Sequence, residues 1–281
     1  MMRALEPEVT DAVWAAVEPM LPASPQRRRG RPRKPDRDVF IAILWRLVLG
    51  CSWETVELLL DRRVSDTTIR ERRDEWIELG VFDRLINHAI LAFDRIIELD
   101  LSHASIDGSL HKAPCGGEGT GPNPCDRGKR GWKWSILTDA HGIPLGFEID
   151  GANRQDMKMI DATLTDADRL LLVSEIEELH LDRGYDNRMV RQVCTDHGVT
   201  ELDIATKRKP ARRGVRRLTP RQKVGPRWVV ERSNSWLSNY GQLRRNTDRH
   251  TRHRRAQLQL ACTLIITIKL IAYRDRWSTF R

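Results

Sequence analysis

The sequence predicts an α/β chain with a helical first part, residues 1–98, and a second part, 99–281, built on a five-stranded mixed sheet with flanking helices. Three observations predict it. Apolar residues recur at helical spacing up to about residue 100. Beyond Leu101 the pattern changes to short apolar or alternating runs broken by turns. The later runs are separated by segments of helical periodicity, the arrangement expected of parallel strands joined by crossover helices.

In the first part, Val13, Trp14, Val17 and Leu21 repeat at helix spacing, and 39–49 is apolar on most sides. Between these helices lies 26–37, QRRRGRPRKPDR, where prolines and a run of charge disfavour a packed element. It reads as an exposed basic arm, either a solvated linker or a segment whose Arg31, Arg33 and Lys34 enter a minor groove of duplex DNA. A helix follows over 53–60, capped by Ser52, then a break at 61–64, then a second helix to Leu79 capped by Ser65. Two helices across a short turn suggest a helix-turn-helix, with an ordinary helical hairpin as the alternative. Ile69, Trp76 and Leu79 are expected to face the core. Thr67, Thr68, Arg70, Arg72 and Arg73 are then left outward, where a recognition helix needs them.

In the second part, the runs 104–110, 133–138, 144–149, 178–182 and 201–206 read as five strands. The turn Ala140-His141-Gly142 makes the second and third a hairpin, and 156–173 and 187–197 have helical character. Three meandering strands followed by helix-linked strands describe an RNase H-like sheet. Its right-handed crossover returns the fourth strand beside the first and parallel to it. The glycine-rich segment 114–131 is expected to be neither strand nor helix, but a mobile basic hairpin presenting Arg127, Lys129 and Arg130 to DNA, with plain disorder as the alternative.

Charge and composition limit the function. Lys and Arg number 48 against 39 Asp and Glu, a formal charge of +9, which makes a polyanion the expected partner. An arginine excess also follows from a GC-rich genome. The early acidic residues argue against a secretory signal, and the apolar stretch 258–273, broken by Lys269, falls short of a membrane span and suggests a buried helix. Five cysteines without a CxxC pair fit reduced thiols and a cytoplasmic location, with zinc bound by Cys115, Cys125 and His111 as a minor alternative.

The carboxylates carry the chemistry. Asp107 alternates with Ala104 and Ile106, which turns it to the other strand face near the expected strand end, and Asp182 ends the run Leu179, His180, Leu181. If their strands are adjacent and parallel, the two acids converge at one sheet edge. A helix beginning at Pro226 buries Val229, Val230, Trp236, Leu237 and Tyr240 on one arc and places Glu231, Asn234, Ser235 and Ser238 on the other. Glu231 there is either a third ligand over the cleft or a glutamate favoured by the helix dipole.

Longer motifs sharpen this reading. Ser105-Ile106-Asp107-Gly108-Ser109, the segment GGEGTGPNP with Asp126-Arg127-Gly128-Lys129-Arg130-Gly131, Leu181-Asp182-Arg183-Gly184-Tyr185, and Arg227 with three residues before Glu231 together resemble bacterial insertion-sequence transposases of the IS-five kind over nearly the whole chain. The resemblance implies that Asp107, Asp182 and Glu231 hold two Mg²⁺, with Mn²⁺ as an alternative, for metal-dependent DNA cleavage and strand transfer without a covalent protein-DNA intermediate. It departs from the family at Val224 and Ser238, where tyrosine and lysine are expected, which passes their DNA-contacting role to Arg232, Arg244 or Arg245. Lys207, Arg208 and Lys209 open a basic run that reaches Arg227 without an acidic residue, either a place for a DNA backbone or a disordered basic loop, or a loop that orders only on DNA. The implied partners are double-stranded DNA, namely terminal inverted repeats and target, and a second copy of the chain. Two rivals stay open: a DNA-binding regulator without activity, and an RNase H-like nuclease with no sequence-specific front end.

Overall fold

A computed structural model describes residues 2–23, 33–205 and 226–278. Five helices come first: α1 (Pro7–Val17), α2 (Asp36–Leu49), α3 (Trp53–Leu59), α4 (Asp66–Glu78) and α5 (Val81–Ile97). The caps read from sequence are in place, since the Ser52 hydroxyl accepts from the Thr55 amide at 3.1 Å and that of Ser65 from the Thr68 amide at 3.4 Å. Val56, Ile69 and Trp76 close the space between α3, α4 and α2. Leu79, expected in this core, is 45% exposed, because α4 ends at Glu78 and the chain turns at Gly80.

Strands β1 (Ala104–Lys112), β2 (Gly121–Pro122), β3 (Arg130–Thr138), β4 (Pro144–Gly151), β5 (Leu179–Leu181) and β6 (Leu202–Ile204) form one mixed sheet. β1, β3 and β4 meander antiparallel, while β5 lies parallel to β1 on its free side and β6 parallel to β5. This is the RNase H-like order expected from the strand spacing, with β2 as one strand more than expected. Segment 114–131 is a hairpin that carries β2. Asn123 and Lys129 pair through their backbones at 2.8 Å, and Glu118 ties the loop to the His250 ring at 3.0 Å and the Thr251 amide at 3.2 Å.

Helices cover both faces. α6 (Ile160–Asp168) lies on one, where Thr163 donates to Ser135 at 2.9 Å. α8 (Trp228–Ser238) lies on the other, against Trp134, as the alternation along β3 requires. α7 (Arg188–Asp196) leads from β5 to β6, and the short α9 (Gly241–Arg244) leads to α10 (Thr251–Ser278). α10 has 28 residues, so length does not exclude a membrane span; by length and composition it could cross one, with a mean hydropathy of 1.5 over its most apolar window. That window is 67% buried in the protein, chiefly along α5, which accounts for its apolar character. Where α2 ends, Gly50 takes a left-handed φ of +69°, and a Cβ there would sit 2.7 Å from the Gly241 carbonyl carbon. A Cβ on Gly241 would meet the Gly50 nitrogen at the same distance, so the helical front and the sheet-bearing part touch backbone to backbone.

Candidate active site

The parallel register of β1 and β5 sets Ala104 opposite Leu179 and Ser105 opposite His180. Continued by two residues, it sets Asp107 beside Asp182, which directly follows β5 and is still extended (φ −70°, ψ 159°). Neighbouring strands lie about 4.8 Å apart, so the two carboxylates leave adjacent backbones on one face of the sheet. Asp107 is mid-strand rather than near a strand end, because β1 continues to Lys112 against β3. It is the shortness of β5 that opens the edge at this level. Gly108 follows Asp107 for a steric reason: a Cβ there would overlap the Asp156 carboxylate, which pairs with the buried Lys133 at 2.5 Å.

α8 crosses the same face. Asn234 donates from Nδ2 to Asp107 Oδ2 at 2.9 Å and accepts from Trp134 Nε1 at 2.7 Å, fixing the helix over the first acid. Glu231, one turn earlier on the same side, is thereby turned toward the acids. Arg227 sits 3.9 Å from Asp182 Oδ1 and 3.9 Å from Glu231 Oε1. The acids are thus assembled on one face around a guanidinium, although their ligand atoms are not gathered within 4.8 Å of one another. Asp182 and Glu231 are more than half exposed, at 54% and 62%.

Asp107 is the enclosed member. Burial pushes its carboxyl pKa up against the pull of the Asn234 hydrogen bond and the Arg227 charge, and the Glu231 charge adds to the rise. A carboxylate in that position gains from a cation at its free oxygen. Three sets of carboxylate oxygens suit a hard divalent ion, so the residues present fit the metal that the sequence motifs imply.

The basic residues divide. Arg31, Lys207, Arg208 and Lys209 lie outside the described residues. Arg70 is exposed and pairs with Asp66, and Thr68 is half-buried with its hydroxyl 3.0 Å from that of Ser65. Arg72 and Arg73 correct the expectation of an outward row: they are 7% and 5% exposed. Arg72 pairs with Asp36 and with Glu75 at 3.0 Å, and Arg73 with Asp248 at 3.3 Å. On a helix packed against α2 and α10, the arc next to Ile69 and Trp76 also faces protein. Arg33 is folded back on Asp36 (3.5 Å) and Glu75 (3.2 Å), and Lys34 is half-buried. Lys129 and Arg130 are exposed on the hairpin, and Arg244 and Arg245 are exposed where α9 ends. Arg232 is stacked between Trp228 (4.3 Å) and Trp236 (4.7 Å) and donates to the His141 carbonyl at 2.8 Å.

Sequence reasoning gave Asn234 no role, although its place three residues after Glu231 puts it on the same helix side. It also assigned Arg227 to DNA alone and missed that it bridges two of the acids. His111 stacks on Trp134 at 3.7 Å, and burial holds its pKa down to about 3; Cys115 and Cys125 are exposed, and the three do not form a close group of ligand atoms among the described residues.

Comparison with known proteins identifies the family. Residues 9–86 match a family model described as "Putative transposase of IS4/5 family", and residues 98–268 match one described as "Transposase DDE domain". The chain is 35% identical over 168 residues to a "Putative transposase for insertion sequence element IS402" of Burkholderia cepacia, covering 58% of this chain and 70% of that one. It is 30% identical over 122 residues to an "Insertion element IS402 uncharacterized 16.2 kDa protein" of the same organism, covering 42% of this chain and 82% of that one. A solved structure, the Mos1 transposase paired-end complex with left transposon end, aligns over 65% of this chain and 62% of its own at 11% identity with a TM-score of 0.25, a likeness too weak to add anything. A DDE domain implies nuclease and transposition chemistry with a divalent metal. The chain belongs to the DDE transposases of bacterial insertion sequences, of the IS4/5 kind.

Proposed function

We propose that this transposase binds the terminal inverted repeats of its own element through residues 1–98 and cuts and rejoins DNA through residues 99–281, with Asp107, Asp182 and Glu231 as ligands for two Mg²⁺. The observation that carries the proposal is the parallel register that sets Asp107 beside Asp182, with α8 laying Glu231 over the same face. When bound, the ions activate the attacking oxygen and stabilise the leaving one. The protein's own residues do the rest. Asn234 fixes the orientation of Asp107. Asp182 and Glu231, exposed and only loosely paired with Arg227, are free to turn toward ligand, and Arg227 can move to a phosphate as the carboxylates are taken up. Open space around Gly184 leaves an approach beside Asp182.

Thr67 and Arg70 on α4, with Lys129 and Arg130 on the hairpin, present the exposed donors for duplex DNA. The working unit is a homodimer, since two ends must be joined, and the setting is the bacterial cytoplasm at the nucleoid. The test is cleavage of an end-bearing duplex in Mg²⁺. Asp182→Asn is expected to abolish cleavage while leaving end binding unchanged; equal cleavage by both proteins would remove Asp182 from the site. Preference for end-repeat DNA over random duplex separates a transposase from a general nuclease of the same fold.

A further inference from the structure

At the other end of the strands that carry Asp107 and Asp182, a second set of ligating side chains converges. His103 directly precedes β1, Glu178 directly precedes β5, and His180 is the middle residue of β5. Nδ1 of His103 lies 3.1 Å from Nε2 of His180 and 3.1 Å from Oε2 of Glu178. Nε2 of His180 lies 3.4 Å from that same oxygen. Among the described residues this is the one group of three such side chains whose ligand atoms all fall within 4.8 Å of one another.

The surroundings favour a bound cation over a mere hydrogen-bonded cluster. Nδ1 of His180 is 3.0 Å from Asp203 Oδ2, within reach to donate to that carboxylate, and Nε2, on the other side of the ring, faces His103 and Glu178. A carboxylate behind an imidazole whose other nitrogen faces further ligands is the arrangement that orients metal-binding histidines. His180 is 3% exposed and its ring is held in place, whereas His103 and Glu178 are 48% and 39% exposed and leave a route from solvent.

We propose that His103, Glu178 and His180 bind one divalent transition cation of the zinc kind, with Asp203 as a positioning residue, at a site separate from the catalytic carboxylates. Two imidazole nitrogens and one carboxylate select zinc over magnesium, and three protein ligands leave a fourth position for water. The parallel pairing of β1 with β5 rests on only two residue pairs, Ala104 with Leu179 and Ser105 with His180. An ion held by residues from both strands pins that pairing, and with it the register that aligns Asp107 and Asp182 about 10 Å further along the strands.

The test uses the purified full chain with Co²⁺ as a spectroscopic probe, Zn²⁺ as competitor and excess Mg²⁺ throughout. One Co²⁺ per chain is expected to give a visible band that Zn²⁺ abolishes and Mg²⁺ does not. The half-exposed positions allow folded variants: His103→Ala and Glu178→Gln should each lose the band, and Asp203→Asn should weaken binding roughly 10- to 100-fold. Asp182→Asn and the double variant Cys115→Ser, Cys125→Ser should keep it, which separates this site from the catalytic one and from exposed thiols. Absence of the band, its survival in His103→Ala and Glu178→Gln, or its loss with the cysteines would overturn the site. Zn²⁺ should also raise the melting temperature of the wild type but not of His103→Ala; equal melting in both would overturn the pinning role.

Discussion

Around Asp248 and around Arg227 the molecule builds two arginine-carboxylate clusters from the same chemistry and holds them differently. Asp248 is 9% exposed and takes Arg73 at 3.3 Å, Arg46 at 3.6 Å and the amide of Gln257 at 2.6 Å. The ring of Trp53 lies against both guanidiniums, at 4.4 and 5.1 Å. Burial opposes ionisation of Asp248, yet the two arginines and Gln257 outweigh it and hold its pKa below the usual carboxylate range. Arg227 instead stands 3.9 Å from two carboxylates that are more than half exposed. A buried charge with its lone pairs matched is committed to the fold, whereas a long, wet contact can be exchanged for another partner at little cost.

The largest expected effect breaks the first cluster. Asp248→Ala leaves Arg46 buried without a counter-charge and Arg73 with Asp74 alone at 2.9 Å, and should cost about 3 to 5 kcal/mol of stability, read from urea unfolding. A loss below about 1 kcal/mol would erase the contrast between the clusters. Acid should loosen the same cluster through His253, whose Nε2 is 3.3 Å from Arg73. Burial and the Arg73 charge lower its pKa from 6.5 to about 4. Between these values the unfolded chain takes up the proton first, so stability falls as pH drops through the window, by at most about 1.4 kcal/mol per unit. Unfolding at pH 7 and pH 4.5 should show this loss in the wild type and less of it in His253→Gln. Asp248 adds a further loss below the ordinary carboxylate range, as pH falls through its lowered pKa.

Smaller effects test the second cluster. Asn234→Leu removes the donor to Asp107 and leaves Trp134 Nε1 unsatisfied, at a cost of about 1 to 3 kcal/mol. It should also raise the Asp107 pKa further, so that metal binding needs a higher pH, which a Mg²⁺ titration at two pH values would reveal. Arg227→Gln should change stability by less than about 1 kcal/mol. If Arg227 meets a phosphate, the salt slope of end binding should fall by about 0.9 in the same variant.

Much of this contrast was legible in the sequence where local rules decide. Ser52 and Ser65 announced their helices through capping, and alternation at Ala104 and Ile106 put Asp107 on the opposite face. The crossover rule gave the β1 to β5 pairing, and the motifs around Asp107, Asp182 and Glu231 gave the family. What escaped depends on contacts distant in sequence. Arg72 and Arg73 read as a free basic row because Asp36 and Asp248, which bury them, lie 36 and 175 residues away. The docking of the hairpin at 114–131 was not legible because His250 and Thr251, at the start of α10, lie more than 130 residues from Glu118. Arg227 was visible as charge, but not as the link between Asp182 and Glu231.

The contact between Gly50 and Gly241 carries a mechanical consequence. With no side chains between the two backbones, neither position can take a larger residue without parting them, so the seating of the front helices on the sheet-bearing part depends on both staying glycine. If α4 grips the duplex as proposed and this seam holds, the scissile phosphate falls at one set distance from the bases that are read. End sequences lengthened by a few base pairs between the two should still be gripped and yet escape being cut.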